Sequence, residues 1–463
     1  MPAAAPNPSV VLLVDSKVRD LPVAALLAHH LEQQGITAHL EPLEAYQGAL
    51  AAHRPRMMVF NHLTASHLAA YSQRLHQMGV LTAVLPNEGI FYDYDDLIFN
   101  SGRYHTHAHI DCFFCWNHVH ARALQEHGGQ AHTRIEVIGV PRFDFYFQPW
   151  SRLFASPPRE KEDRPVVLLC TNFATAHFWE LPRSEGDKFF AAWKDRIPRY
   201  RNYWQSIEAH FKGRQKVLNF LQALLDADRY QLVLRPHPRE DAMFYQRWLS
   251  ALPAAQRRYV RLDAQSNITS LILGCDVEIS CETCTTALES WIAGKPTIEL
   301  LLEQDPLWYY EEPSACNVHC ARPEALPALV EQVLQNGMPL DLREKQRAHL
   351  ARWCHTPDGH SAEKMAALIA DMLARTPEPD WSQLNWTDRR RHWKWQLTHL
   401  VDQPYHYDPS LAAKHWFWPA RYRIKHLSQR KAIRPSEVQA MRRQIEACVL
   451  PQPATLTTAY AHS

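Results

Sequence analysis

Residues 277–296 read VEISCETCTTALESWIAGKP, and residues 231–238 read QLVLRPHP. Each opens as a short apolar run of strand type and ends in polar residues. In the first stretch the polar residues pass straight into a helical pattern, which Gly294, Lys295 and Pro296 close. In the second, two prolines fix the turn and remove its amide hydrogens. Strands alternating with helices in this way build a parallel sheet covered on both faces. Ligands of such sheets gather beyond the carboxyl ends of the strands, so the residues that follow each strand decide the chemistry.

The same rhythm runs outward in both directions. Strands are expected at 10–14, 36–40, 57–61, 80–85, 110–116 and 135–139, with helices at 21–34, 65–78 and 119–126. Residues 148–165 are rich in proline and charge and lack periodicity, which marks a linker. Beyond it, strands are expected at 166–170, 231–234, 259–262, 277–280 and 297–301. The helices of this half are expected at 215–227, 243–252, 268–274, 285–293, 326–335, 342–354 and 361–374. Residues 174–212, rich in Trp, Arg and Tyr, read as an insertion. The expected fold is α/β: two doubly wound Rossmann-type domains, 1–150 and 151–376, facing across a cleft, with a helical Trp/Arg-rich tail at 377–463.

Composition narrows the function classes. The 463 residues are 46% hydrophobic and 21% charged, an ordinary globular mixture. Fifty Lys and Arg balance 49 Asp and Glu, which argues against a general nucleic-acid binder. The start has no basic n-region and no sufficient apolar run, and no stretch approaches the length of a membrane span. A cytoplasmic protein with reduced thiols is expected, so the ten cysteines read as small buried hydrophobes. Cys112 and Cys115 lie three apart on a strand, point to opposite faces and make a poor metal pair. His105, His107 and His109 alternate but follow no metal-ligand spacing. No metal and no cofactor are expected.

The strand exits carry the candidate site. Arg235 and His237 in their rigid turn suit a phosphate, and the other reading is a solvated Arg with a packed His. Ser280, Glu282, Thr283, Thr285 and Thr286 crowd a helix start, where amides and hydroxyls can grip an anion or merely cap the helix. Glu289, one turn in, can accept hydrogen bonds from ribose hydroxyls. In the first domain, Glu88 follows a strand and precedes Gly89. It can act as general base, as nucleophile, or as a structural cap. Asp93, Asp95 and Asp96 are weaker candidates of the same kind. Asp15, Asn61, Asn87 and Asn172 follow strands and point to an acceptor. Arg142 and Asp144 read as a structural pair.

The sequence of strand, RPHP, strand, SxETxTTALE, helix and GKP resembles the nucleotide half of GT-B glycosyltransferases. It is most similar to the CMP-sugar enzymes, the sialyltransferases and Kdo transferases. With PNEGIFYDYDD at 86–96, GVPRFD at 139–144 and CTNF at 170–173, residues 10–375 look like the surface carbohydrate biosynthesis family of capsule and lipopolysaccharide assembly. The resemblance implies that His237, Pro238, Ser280, Thr283, Thr285 and Thr286 hold the nucleotide, without metal. It implies a nucleotide-sugar donor, CMP-linked Kdo among the options, and a lipid-linked saccharide acceptor. Transfer of glycerol or ribitol phosphate from a CDP-alcohol and 2-epimerisation of a UDP-sugar fit the same plan. A non-catalytic assembly protein is the reading outside enzymes. Residues 386–400 and 415–427 interleave Trp with Arg and Lys, which suits either peripheral contact with the inner membrane or packing back on the domains.

Overall fold

In the computed structural model, residues 7–104, 108–155, 163–282, 284–405 and 431–450 are described. Twelve strands form two wholly parallel six-stranded sheets among them. The first contains β1 (Ser9–Val14), β2 (Thr37–Pro42), β3 (Met57–Phe60), β4 (Leu81–Val84), β5 (Cys112–Cys115) and β6 (Arg134–Val137). Their order is β2-β1-β3-β4-β5-β6. The second contains β7 (Val166–Cys170), β8 (Gln231–Arg235), β9 (Val260–Leu262), β10 (Val277–Cys281), β11 (Thr297–Leu300) and β12 (Val318–Cys320). Their order is β12-β11-β10-β7-β8-β9, the doubly wound pattern in which direction reverses between β7 and β10. In the first sheet the reversal lies between β1 and β3.

The first lobe carries α1 (Asp20–Gln33), α2 (Tyr46–His53), α3 (Ser66–Gln77), α4 (Tyr94–Gly102) and α5 (His118–Ala123). The second carries α6 (Arg183–Lys194), α7 (Tyr203–Asp226), α8 (Ala242–Ala251), α9 (Ala254–Arg257), α10 (Ile268–Gly274), α11 (Thr285–Ile292), α12 (Glu311–Ser314), α13 (Leu326–Asn336) and α14 (Leu340–Cys354). Then follow α15 (Ser361–Arg375), α16 (Trp386–Leu400) and α17 (Pro435–Val449). The stretch 174–212, read as an insertion, holds α6 and the first half of α7. Gly213 lets α7 approach the sheet, because a Cβ there would sit 2.7 Å from the Phe173 ring.

Alternation along the strands makes the cores. Val10, Leu12 and Val14 face one side of the first sheet, Val11 and Leu13 the other. The side holding Val10 is closed by α1 and also by late parts of the chain: Met365 and Ile369 of α15, and Ile445 and Cys448 of α17. In the second sheet Val167 and Leu169 face one core, and Leu168 and Cys170 another. That last core is shared between the lobes. It joins Trp116, Val140 and Phe143 of the first to Leu288, Trp291 and Trp353 of the second. The ten cysteines are free thiols, and burial pushes Cys112 up to about 12.

No helix among the described residues is long and apolar enough to cross a membrane. The described tail packs on the first lobe, α16 against α2 and α17 against α1. Trp395 turns inward and donates to Glu41 at 2.9 Å. Trp386, Trp393, Leu397 and Leu400 of α16 are exposed. Residues 415–427, His105 and His107 lie outside the described residues.

Candidate active site

The second sheet reverses between β7 and β10, and three strand exits converge there. The RPHP turn and the hydroxyl loop do not follow neighbouring strands, since β7 lies between β8 and β10. Its exit residues Thr171 and Asn172 therefore sit between the two motifs. Asn172 Nδ2 reaches the Glu282 carbonyl at 3.4 Å, spanning the reversal point.

Glu240, which the motif reading passed over, organises this end of the sheet. Its carboxylate accepts from the Thr171 hydroxyl (2.7 Å), the Phe173 amide (3.0 Å), the His237 amide (3.1 Å) and the Tyr245 hydroxyl (2.5 Å). Burial nevertheless pushes it above the ordinary carboxylate range, with those donors pulling the other way. The turn is thus held by a carboxylate as well as by prolines. His237 is half-buried, and its Nδ1 accepts from the Arg239 amide at 3.2 Å. That bond leaves the proton of the neutral ring on Nε2. Pro238 is exposed beside it.

Several residues read as anion ligands are turned elsewhere. Arg235 is buried on β8 and donates to the Asp263 carbonyl at 3.0 Å. Ser280 and Thr286 donate to Glu278, at 2.8 Å each. Glu278 and Ser280 are two apart on a strand and share a face, so the hydroxyl goes where the buried carboxyl needs a donor. Burial pushes Glu278 up to about 8. Glu282 is buried and accepts from the Glu303 and Asp305 amides, both at 2.9 Å, so it pins the following loop. Burial pushes it up to about 7, and its backbone is left-handed at φ 57°, a strained conformation for Glu at a strand exit. Thr283 lies outside the described residues. Thr285 is exposed at the first position of α11, and Cys284 before it gives the helix no side-chain cap. The first amides of α11 and the Thr285 hydroxyl are the donors left to meet an anion.

The first lobe places its candidates at its own reversal point. A cavity of about 50 Å³ lies at the ends of β1, β3 and β4, bordered by Arg19, Asn61, Asn87, Trp116 and Arg142. Asn61 Nδ2 donates to Asn87 Oδ1 at 3.2 Å. Asn61 Oδ1 and Arg142 Nε, both buried, have no hydrogen-bond partner among the described residues. Such atoms call for a ligand or water. Glu88 stands at the rim with its side chain 61% exposed, 3.6 Å from Arg19. Gly89 is required for close approach rather than for a sharp turn: a Cβ there would fall 2.5 Å from the Trp116 ring.

Asp93 and Asp15 are otherwise engaged. Asp93 caps α4 by accepting from the Asp96 amide (3.0 Å) and pairs with Arg199 of the second lobe at 2.7 Å. A carboxylate so committed makes a poor base. Asp96 accepts from Tyr200, and burial pushes it up to about 6. Asp15 pairs with Lys431 at 2.5 Å. Arg142 and Asp144 do not pair. Asp144 accepts from the Ser361 and Ala362 amides, and Arg142 lies over Trp116 and 3.7 Å from Glu289.

Glu289 ties the lobes together. It accepts from Tyr146 at 2.6 Å, and its carboxyl is raised first by burial, with Arg142 pulling it down and Glu88 pushing it up. Glu289, one turn into α11, therefore sits within electrostatic reach of Glu88 on the opposite lobe. Glu88 and Glu289 thus face one junction, while His237 stands at the same end of the second sheet with β7 between it and α11.

No protein-family model matches the chain, and no curated protein matches it. Solved structures of similar plan include a UDP-N-acetylglucosamine 2-epimerase (12% identity, 81% of this chain and 99% of that one, TM-score 0.48). Another is the wall teichoic acid polymerase TagF (13%, 80% and 89%, TM-score 0.47). A third is HepE of Anabaena in complex with UDP-glucose (12%, 79% and 99%, TM-score 0.41). Likeness at these scores says nothing of this chain's chemistry, and the architecture stated here rests on its own strand pairing.

Proposed function

We propose that the chain is a glycosyltransferase that moves a sugar from a nucleotide donor to a growing surface saccharide. The observation that carries this reading is the junction itself, where exposed Glu88 of one lobe lies within electrostatic reach of Glu289 on α11 of the other. The donor phosphate would sit on the α11 amides and Thr285, with His237 Nε2–H donating to the leaving oxygen. Glu88 would take the proton of the acceptor hydroxyl. Asn61, Asn87 and Arg142 would orient the acceptor. A CMP-linked ulosonic acid is the donor to test first. That choice rests on the sequence motifs alone, because Ser280 and Thr286 are engaged by Glu278.

Epimerisation of a sugar nucleotide without an acceptor, and phosphotransfer from a CDP-alcohol, are the alternatives to test. Product analysis with CMP-, CDP- and UDP-linked donors separates transfer, phosphotransfer and epimerisation. A thermal-shift panel of free CMP, UDP and GDP sorts the base, since a ligand of the folded state raises Tm by mass action. His237→Ala is expected to abolish turnover with little loss of fold. Full turnover in that variant would end the transferase reading.

The exposed Trp386, Trp393, Leu397 and Leu400 lie on a helix rich in Arg and Lys. We infer that this stripe touches an anionic membrane where a lipid-linked acceptor resides. Flotation with anionic liposomes at low salt, lost in Trp393→Glu, tests it. A chain that never floats would refute membrane contact.

A further inference from the structure

A second cluster of side chains lies at the amino-terminal end of the first sheet, opposite its strand exits. His76 is exposed on α3, near its last turn. His109 is buried just before β5, and Asp111 directly precedes that strand. One donor atom from each lies within 4.8 Å of the other two. His109 Nε2 is 3.2 Å from Asp111 Oδ1. Ligands of a tetrahedral zinc ion at ordinary bond lengths stand about 3.3 Å apart, so this pair is already at the spacing an ion needs.

The surroundings hold the ligands in place. Asp111 Oδ2 accepts from the Thr82 amide (2.7 Å) and the Thr82 hydroxyl (3.1 Å), which leaves Oδ1 aimed at the histidines. The His109 backbone is fixed at both polar atoms: its amide donates to Ser72 at 2.8 Å, and its carbonyl accepts from Thr82 at 2.7 Å. Such outer contacts orient ligands in metal sites. The His76 ring lies over that of His109 with centroids 3.6 Å apart, and the exposed His132 ring stacks on the other side at 4.3 Å. An imidazole binds a metal in its own plane, so the exposed His76 ring must turn out of this stack to share an ion with His109.

We propose that His76, His109 and Asp111 form a binding site for a zinc-class divalent ion, with solvent completing its shell. Two imidazoles and a carboxylate suit Zn²⁺ or Co²⁺ and not the oxygen-seeking Mg²⁺ or Ca²⁺. The cluster lies at the amino ends of β4 and β5, away from the strand exits that carry the junction. The ion acts as a staple between α3 and the strand edge, not as a catalyst.

The test is titration of the full chain, stripped with chelator, with Zn²⁺ in a calorimeter and with Co²⁺ followed by visible absorption. Because the chain has 27 histidines, the variants decide the matter. One tight equivalent, a Co²⁺ ligand-field band and a zinc-dependent rise in Tm are expected. His76→Gln, at an exposed position, should weaken binding at least about tenfold and remove the Tm rise. Asp111→Asn should do the same. Absence of saturable binding, or unchanged binding in both His76→Gln and Asp111→Asn, overturns the proposal. Mg²⁺ in place of Zn²⁺ should give no shift.

Discussion

Glu278→Gln tests the interior beneath the donor site. Glu278 is wholly buried on β10, and its carboxyl accepts from Ser280 and from Thr286 at the start of α11. Burial pushes it up to about 8 from an ordinary value of 4.5. The folded chain therefore holds this proton more tightly than the unfolded chain does. The stability it contributes is fully present below pH 4.5 and is lost as pH climbs through 8. Each pH unit in that window costs about 1.4 kcal/mol, so the loss between pH 5 and 7.5 is about 3 kcal/mol. Glutamine cannot ionise. The cost of placing its second N–H is independent of pH and drops out of the slope. Urea unfolding of both proteins at pH 5, 6, 7 and 7.5 reads the difference, and comparing variant with wild type cancels every other titrating group. The variant should gain on wild type steadily with pH. A difference that stays constant within about 0.5 kcal/mol over the range would refute the buried, protonated carboxyl. There is a functional side to the same proton. An ionised Glu278 would put negative charge behind the helix start that meets the donor phosphate, so nucleotide affinity should weaken above pH 8 in wild type and not in the variant.

Glu88→Gln should lower kcat by about 10²- to 10⁴-fold, as loss of a general base does, while urea unfolding stays unchanged because the side chain is exposed. An unaltered kcat would remove Glu88 from the mechanism. Tyr146→Phe deletes the 2.6 Å bond to buried Glu289 and should cost about 1.5–3 kcal/mol in urea unfolding. A cost below about 0.5 kcal/mol would show that the bond does not hold the lobes together.

The strand and helix rhythm was legible because apolar runs and Gly or Pro punctuation mark each exchange. Strand β12 was not, since three residues at a sheet edge carry no period. The amino half of α7 was hidden by its Trp, Tyr and Arg content, although those aromatics cover a core with Phe190 and Trp308. At the site, sequence found the right strand exits and mistook the direction of several side chains. Ser280 could have been read correctly: VEISC is a buried strand, and a Glu two positions away on the same face must find donors. Glu240 gave only a weak signal, a carboxylate three residues after His237, and its four partners come from the loop after β7, the turn and α8. Which strands are neighbours across a reversal is set by packing of whole helices, so the place of β7 between the two motifs had no local signature. The shared cluster of Trp116, Trp291 and Trp353 was equally unreadable, because each Trp belongs to a different strand or helix.

The closing of the first sheet by α15 and α17 has a consequence for synthesis. Leu26, Leu27 and Leu31 of α1 share one core with Met365, Ile369, Ile445 and Cys448. On the ribosome, those leucines emerge hundreds of residues before their partners. The nascent amino-terminal half therefore carries that oily flank bare until the end of the chain is made. A truncation that removes α17 is expected to hand the leading half to chaperones rather than yield a shorter working protein.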